Sequence, residues 1–265
     1  MTPDLVVAGN LLVDDIVLPG GAAHMAEAGG AALYVSLAAR LWGVRVGVAS
    51  VAGSDYPARA LDRLAARGID LAGVRRPGHP GVRTWLLYEE RGRRVVHRLG
   101  SPAHADVSPR PDDLPADWLG ARAFHLSPMP LVSQRALVAA LAPLPGAILS
   151  LDPHEPLTPA TLAAWAGALE RCDLLFVGED ELALDDVDAV PGAALRALAR
   201  GRLARIAFKR GARGGLVIDA RQAMPIEWPA LAERVADPTG AGDAFAGGFL
   251  AGVLAGAPIE TALEQ

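Results

Sequence analysis

Apolar residues recur in the second half of the chain in two patterns, short unbroken runs and helical stripes. Continuous runs predict buried strands, and apolar residues spaced three to four apart predict amphipathic helices. From residue 121 onward the two patterns alternate. Strands are predicted at residues 123–126, 147–151, 173–177, 206–209 and 214–218, and helices at 131–141, 158–169 and 191–199. This alternation indicates a mostly parallel sheet with helices on both faces.

The first half of the chain begins in the same way and then changes character. Strands are predicted at residues 5–8, 11–18 and 44–52, and helices at 31–41 and 57–66. Residues 84–88 and 94–99 then form a predicted hairpin with mixed faces, joined by a turn at 89–93. Since the hairpin interrupts the alternation, we expect it to leave the main sheet.

Composition and charge narrow the class of protein. The 265 residues are 51% apolar, which is enough for one large core. The net charge of −5 gives no attraction to nucleic acid or to an anionic membrane surface, and no apolar run could span a bilayer. The single cysteine, Cys172, excludes a disulfide framework. We therefore expect a cytoplasmic protein that acts on small molecules.

Residues 236–250, ADPTGAGDAFAGGFL, carry the most specific chemistry. Pro238 disfavours helical backbone at Asp237, so a helix is predicted to begin close to Gly240. The free N–H groups and the dipole of a helix start bind anions. The carboxylate of Asp243 would repel such an anion. Its place there makes chemical sense if it takes the proton from a nucleophile that attacks a phosphoryl group. An acidic first turn also occurs for structural reasons alone, because it complements the dipole.

Other chemically useful residues follow predicted strands. Asp152, Glu181 and Lys209 each lie at or just beyond the carboxyl end of a strand, and Lys209 is the only lysine among 25 basic residues. Ligands of parallel sheets bind at that edge, so we expect these side chains to converge. The six histidines show no metal-ligand spacing. No Walker-A string and no dinucleotide-binding G-x-G-x-x-G after a strand is present.

The string D-P-T-G-A-G-D-A-F-A-G-G-F resembles the signature of ribokinase-like (PfkB-type) carbohydrate kinases, usually D-T-T-G-A-G-D-x-F-x-G-x-F. The resemblance implies a ribokinase-like three-layer α/β/α sandwich with a mostly parallel central sheet and a small β lid. It implies one domain over residues 1–265, with lid segments at about 11–20 and 80–100. The C-terminus is short for the family pattern, and the segment beyond it would wall an adenine pocket. ATP is the implied phosphoryl donor, with Mg²⁺ as cofactor.

The resemblance also implies roles for individual residues. Asp243 would be the general base, beside the amides of Gly240, Ala241 and Gly242, which would stabilise the transferred group. The acceptor-binding residues would be Asp14, Gly29, Gly30 and Tyr34. The nucleotide-binding residues would be Lys209, Gly211, Gly214 and Asp237. Glu181 would organise Mg²⁺, mostly through water.

Two residues depart from the family pattern. Tyr34 stands where an asparagine usually touches the sugar, and Gly178 replaces the asparagine of an N-x-x-E motif. The predicted reaction is ATP-dependent phosphorylation of an alcohol group on a sugar, polyol or nucleoside. The alternative is a non-catalytic sugar- or nucleotide-binding relative. The lid is also a candidate surface for a homodimer.

Overall fold

The computed structural model describes residues 1–89, 92–183, 192–231 and 235–265. The strands are β1 (Leu5–Ala8), β2 (Leu12–Val17), β3 (Ala23–Gly29), β4 (Val46–Val51), β5 (Asp70–Arg75), β6 (Arg83–Tyr88), β7 (Arg93–His97), β8 (Ala123–Leu126), β9 (Ile148–Leu151), β10 (Leu174–Gly178), β11 (Arg205–Lys209), β12 (Gly215–Asp219) and β13 (Ile226–Trp228). The helices are α1 (Ala31–Leu41), α2 (Ala58–Ala66), α3 (Leu131–Leu141), α4 (Leu162–Leu169), α5 (Ala193–Leu198), α6 (Ala241–Leu254) and α7 (Ile259–Ala262).

Within the described residues, nine strands form the main sheet in the order β13-β12-β11-β10-β9-β8-β1-β4-β5. Neighbours from β11 to β5 pair in parallel, whereas β12 and β13 add antiparallel strands at one edge. The chain builds outward from β1 through β4 in one direction and from β8 through β11 in the other. The reversal between β1 and β8 is a topological switch point, where α/β sheets bind ligands. The predicted mostly parallel sheet is confirmed.

Helices cover both faces of the main sheet. Successive side chains of a strand point to opposite faces, so a strand made only of apolar residues gives both faces an apolar surface that a helix layer buries. In β1, Val6 and Ala8 belong to a core with α3, α4 and α5. Leu5 and Val7 belong to a second core with α1, α2 and α6. All four side chains are almost completely buried. The result is the predicted three-layer α/β/α arrangement.

Helices α1 and α6 cross with their backbones nearly in contact. A Cβ atom on Gly247 of α6 would lie 2.3 Å from the carbonyl oxygen of Val35 in α1. The same helices meet again where the ring of Tyr34 lies against Gly240, the residue just before α6. These two contacts hold the start of α6 beside α1.

A separate four-stranded sheet, the lid sheet, has the order β3-β2-β6-β7. β2 pairs with β6 in parallel, and both outer pairs are antiparallel. β2, β6 and β7 fall within the two predicted lid segments, whereas β3 was not predicted. The sequence of β3, AHMAEAG, lacks alternating apolar residues, because most of its side chains are exposed.

The remaining differences from prediction concern edges and ends. β5 and β13 were missed, because both are partly exposed strands at the sheet edges. Helix α4 begins four residues later than predicted, because Thr158 and Thr161 bond each other and each other's backbone N–H groups. Residues 90, 91 and 191, which belong to the predicted hairpin turn and a helix start, lie outside the described residues. No helix in the described parts of the chain is long and apolar enough to cross a membrane.

Candidate active site

A cavity of about 630 Å³ opens at the switch point, between the carboxyl ends of the main-sheet strands and the lid sheet. Most of the predicted site residues line it. They are Asp14, Gly30, Tyr34, Glu181, Lys209, Gly211, Gly240, Ala241, Gly242 and Asp243. Because these residues come from both halves of the chain, the fold unites the predicted acceptor, nucleotide and catalytic groups in one cavity.

Three predicted site residues do not line this cavity and have local structural contacts instead. A Cβ on Gly29 would lie 1.7 Å from Oδ2 of Asp14, so the missing side chain makes room for that carboxylate. Gly214 has a φ of +75° and touches the backbone at Trp228. Asp237 is exposed, and its Oδ1 accepts a hydrogen bond from the N–H of Thr239, which shapes the turn before α6.

The start of α6, the predicted anion site, is built from small residues. Gly240 is the N-cap and has left-handed backbone, with a φ of 75°. The N–H of Ala241 donates to the carbonyl oxygen of Pro238 at 3.1 Å, so this amide is already engaged. The amides of Gly240 and Gly242 have no hydrogen-bond partner within the described residues. Two of the three predicted donors therefore remain open to a ligand.

Asp243 lies in the first turn of α6 and faces the cavity. Burial raises the pKa of this carboxyl from 3.8 to about 6; Lys209 opposes the shift and Glu181 adds to it. A carboxylate with this pKa is ionised at neutral pH and accepts a proton more readily than an ordinary aspartate. Its position and basicity both suit a general base.

Asp14 approaches the cavity from the lid sheet. Its side chain is only 4% exposed and rests on Gly29. Burial raises the pKa of Asp14 to about 6, and the charge of Arg93 on β7 works against this shift. An ionised carboxylate in this position can accept hydrogen bonds from two hydroxyl groups.

Lys209 reaches the start of α6 from the end of β11. Its Nζ donates to Oδ2 of Asp152 at 2.7 Å, and it would lie 3.4 Å from a Cβ on Gly242. Burial disfavours the ammonium charge, but the Asp152 carboxylate outweighs it and holds the pKa of Lys209 above its ordinary value. The ion pair therefore fixes a permanent positive charge beside the predicted phosphoryl site.

Glu181 and Asp152 provide the carboxylates that could serve a divalent cation. Oε2 of Glu181 accepts the N–H of Gly178 at 2.6 Å, while Oδ1 of Asp152 is buried without a partner among the described residues. The described parts of the chain contain no cluster of three ligand residues able to hold a metal directly. Mg²⁺ keeps most of its waters and needs only one or two carboxylates, so these residues fit a water-mediated site.

The lid sheet contacts the turn that precedes α6. The hydroxyl groups of Tyr88 at the end of β6 and of Thr239 form a hydrogen bond of 2.8 Å. Tyr34 packs on Gly240 from the α1 side, so its ring lies at the start of α6. This is a structural contact that the predicted acceptor role did not include.

Several residues that line the cavity were not predicted from the sequence. Strand alternation could have identified those of the lid sheet, because side chains two apart share a face. Thr84 on β6 and Arg93 and His97 on β7 belong to this group. His104 and His154 come from irregular segments, and no local pattern distinguishes them.

Comparison with known proteins identifies the family of the chain. Residues 22–265 match the pfkB family of carbohydrate kinases. A cytidine kinase of Thermococcus kodakarensis is 32% identical over 266 residues, which cover 97% of this chain and 91% of that protein. The chain belongs to the pfkB family. The predictions of a pfkB-type kinase and of a phosphotransferase are therefore confirmed.

Solved structures support the fold assignment of this pfkB-family chain. A putative ribokinase II from E. coli, in complex with ATP and Mg²⁺, has a TM-score of 0.77 at 20% identity, covering 100% of this chain and 90% of that one. A nucleoside kinase of Burkholderia thailandensis, in complex with inosine, has a TM-score of 0.73 at 19% identity, covering 97% and 87%. The predicted ribokinase-like fold is confirmed.

Proposed function

We propose that this pfkB-family kinase transfers the γ-phosphoryl group of ATP to an alcohol group of a sugar, polyol or nucleoside, with Asp243 as the general base. The observation that carries the proposal is the half-buried carboxylate of Asp243 at the open N–H groups of α6. It shares one cavity with Asp14 of the lid sheet and with Lys209. This combination provides an acceptor site, a base and an anion site together.

In the proposed reaction, Asp14 binds hydroxyl groups of the acceptor and orients a further hydroxyl toward Asp243. Asp243 removes the proton of that hydroxyl while the hydroxyl oxygen bonds to the γ-phosphorus. The bond between the γ-phosphorus and the bridging oxygen breaks, and ADP leaves with the electron pair. The amides of Gly240 and Gly242 stabilise the charge on the transferred group, and donors of this kind contribute about 3–4 kcal/mol each.

Positive charge near the phosphates is the second requirement of phosphoryl transfer. Lys209 supplies a fixed ammonium group, because its pair with Asp152 orients it toward Gly242. Mg²⁺, when bound with the nucleotide, would neutralise phosphate charge, and Glu181 and Asp152 would hold it through water. The lid contact between Tyr88 and Thr239 supports a closed state that excludes water as a competing acceptor.

Replacing Asp243 by asparagine tests the base assignment. We expect Asp243→Asn to abolish turnover across a panel of sugars, polyols and nucleosides, while calorimetry still detects acceptor binding. Asp62→Asn, an exposed position on α2, is the matched control and should keep wild-type turnover. Near-normal turnover by Asp243→Asn would refute the assignment. Nucleotide binding by the wild type without turnover of any acceptor would favour the non-catalytic alternative.

A further inference from the structure

Three histidines from separate segments meet in the cavity. They are His97 at the end of β7, His104 in the connection that follows, and His154 in the loop after β9. The ring centroids of His97 and His104 are 4.6 Å apart, and those of His104 and His154 are 5.2 Å apart. We refer to these three residues as the histidine cluster. The mechanism proposed above does not use it.

The register of the lid sheet relates the cluster to the acceptor carboxylate. Asp14, Thr84 and His97 are direct neighbours across β2, β6 and β7, and Thr84 Oγ1 lies 3.4 Å from Nδ1 of His97. Two strand spacings separate Asp14 from His97, a distance of about 10 Å. An acceptor whose hydroxyl groups are held by Asp14 must therefore extend beyond a single sugar ring to reach His97.

The surface around the cluster combines apolar side chains with uncharged imidazoles. Leu86 and Val95, a directly opposed pair on β6 and β7, line the cavity two residues from Thr84 and His97. Burial lowers the pKa of His104 to about 4 and also lowers that of His154. Both rings are therefore neutral at pH 7, and each offers one hydrogen-bond donor and one acceptor.

One buried ring nitrogen of the cluster has no hydrogen-bond partner within the described residues. Nε2 of His104 is buried, and no atom of the described residues hydrogen-bonds to it. A buried polar atom of this kind is normally satisfied, so a polar group of a ligand would complete it. Arg93, a positively charged residue of the lid sheet that lines the cavity, lies four residues from His97 along β7, about 13 Å away. An anionic end of an acceptor at the cluster would therefore meet neutral rings.

We propose that the histidine cluster is the subsite that recognises the base of a nucleoside acceptor. A planar heteroaromatic base can lie on an imidazole face and hydrogen-bond through its edge. A nucleoside extends beyond its sugar ring, as an acceptor that reaches both Asp14 and His97 must. A monosaccharide would leave the cluster unfilled, and a sugar acid would place its carboxylate against neutral rings. The proposal rests on the function proposed above and names its acceptor class.

Steady-state kinetics of His97→Ala and His104→Gln, with a panel of nucleosides and with free ribose, tests the subsite. We expect the nucleoside KM to rise about tenfold or more, because base contacts are lost, with kcat within about twofold. The KM values for ATP and for ribose, which lacks a base, should not change. His79→Ala, in an exposed loop outside the cavity, is the matched control. If thermal unfolding shows that one of these two variants does not fold, His154→Ala is measured in its place.

The outcomes separate this proposal from the proposed function. Unchanged nucleoside KM values in the folded variants would overturn the subsite. Phosphorylation of sugars by a wild type that binds no nucleoside in calorimetry would also overturn it, while the kinase function would stand. Nucleoside binding that the histidine variants weaken, without turnover of any acceptor, would support the subsite and count against the proposed function.

Discussion

Replacing Gly240 by alanine tests the contact between α1 and the start of α6. A Cβ at Gly240 would lie 2.4–2.5 Å from three ring carbons of Tyr34, and the φ of this residue is +75°. Left-handed backbone costs a non-glycine residue about 1–2 kcal/mol. Overpacking against the ring adds about 1–3 kcal/mol. We therefore expect Gly240→Ala to lower the free energy of unfolding by about 2–5 kcal/mol, a large part of the 5–15 kcal/mol typical of a domain.

A double-mutant cycle with Tyr34→Ala separates the two costs. Without the ring, Gly240→Ala should retain only the backbone cost of about 1–2 kcal/mol. The coupling free energy between the two changes then equals the steric part, about 1–3 kcal/mol. Urea unfolding of the four proteins at one pH, followed by circular dichroism, measures all of these quantities.

The control for this cycle is Gly211→Ala. Gly211 also has positive φ, at +54°, but nothing lies within 4 Å of its Cβ position. It should show the backbone cost alone, without coupling to Tyr34→Ala. A coupling free energy between Gly240 and Tyr34 within about 0.5 kcal/mol of zero would refute the reasoning, because the ring could not then lie against Gly240 in the folded protein.

Further changes test the electrostatics of the site and the packing of the helices. Because the pKa of Asp243 is about 6 when folded and 3.8 ordinarily, the wild type loses stability as pH rises between those values. Asp243→Asn should therefore raise the free energy of unfolding by about 1–3 kcal/mol at pH 8 but not at pH 3.5. The same change in the free energy of unfolding at both pH values would contradict the raised pKa of Asp243. The wild-type kcat/KM should rise with pH through about 6, as Asp243 and the acceptor-binding Asp14 both ionise. Lys209→Met leaves the Asp152 carboxylate buried and unpaired, so urea unfolding should show a free energy of unfolding lower by about 3–5 kcal/mol. Adding Asp152→Asn should recover part of this loss, and no recovery would exclude the ion pair between Lys209 and Asp152. Gly247→Val should cost at least about 1–3 kcal/mol, because its methyl groups would meet the backbone of α1. Gly167→Ala, at an open position in α4, should raise the free energy of unfolding by about 0.5–1 kcal/mol. A loss of stability for Gly167→Ala and none for Gly247→Val would contradict the close packing of α1 on α6.

The main sheet was predictable because buried parallel strands need continuous apolar runs. β8 was predicted at its observed bounds, and β9, β10 and β11 within a residue at each end. Strands that are partly exposed, such as β3 and β5, need no such run and were missed. The same reasoning explains why helix α4 was predicted too long, since the turn at its start depends on hydroxyl contacts rather than on apolar spacing.

The candidate site divides in the same way between local and distant causes. The sequence by itself determined the start of α6, because the effects of Pro238 and Gly240 on the backbone are local. It also determined that Asp243 lies in the first turn of that helix. Only the tertiary structure decided the contacts of Tyr34 with Gly240, of Lys209 with Asp152, and of the rings in the histidine cluster. Apart from His97 and His104, these partners are far apart in sequence, and the register of the strands and the crossing of the helices bring them together.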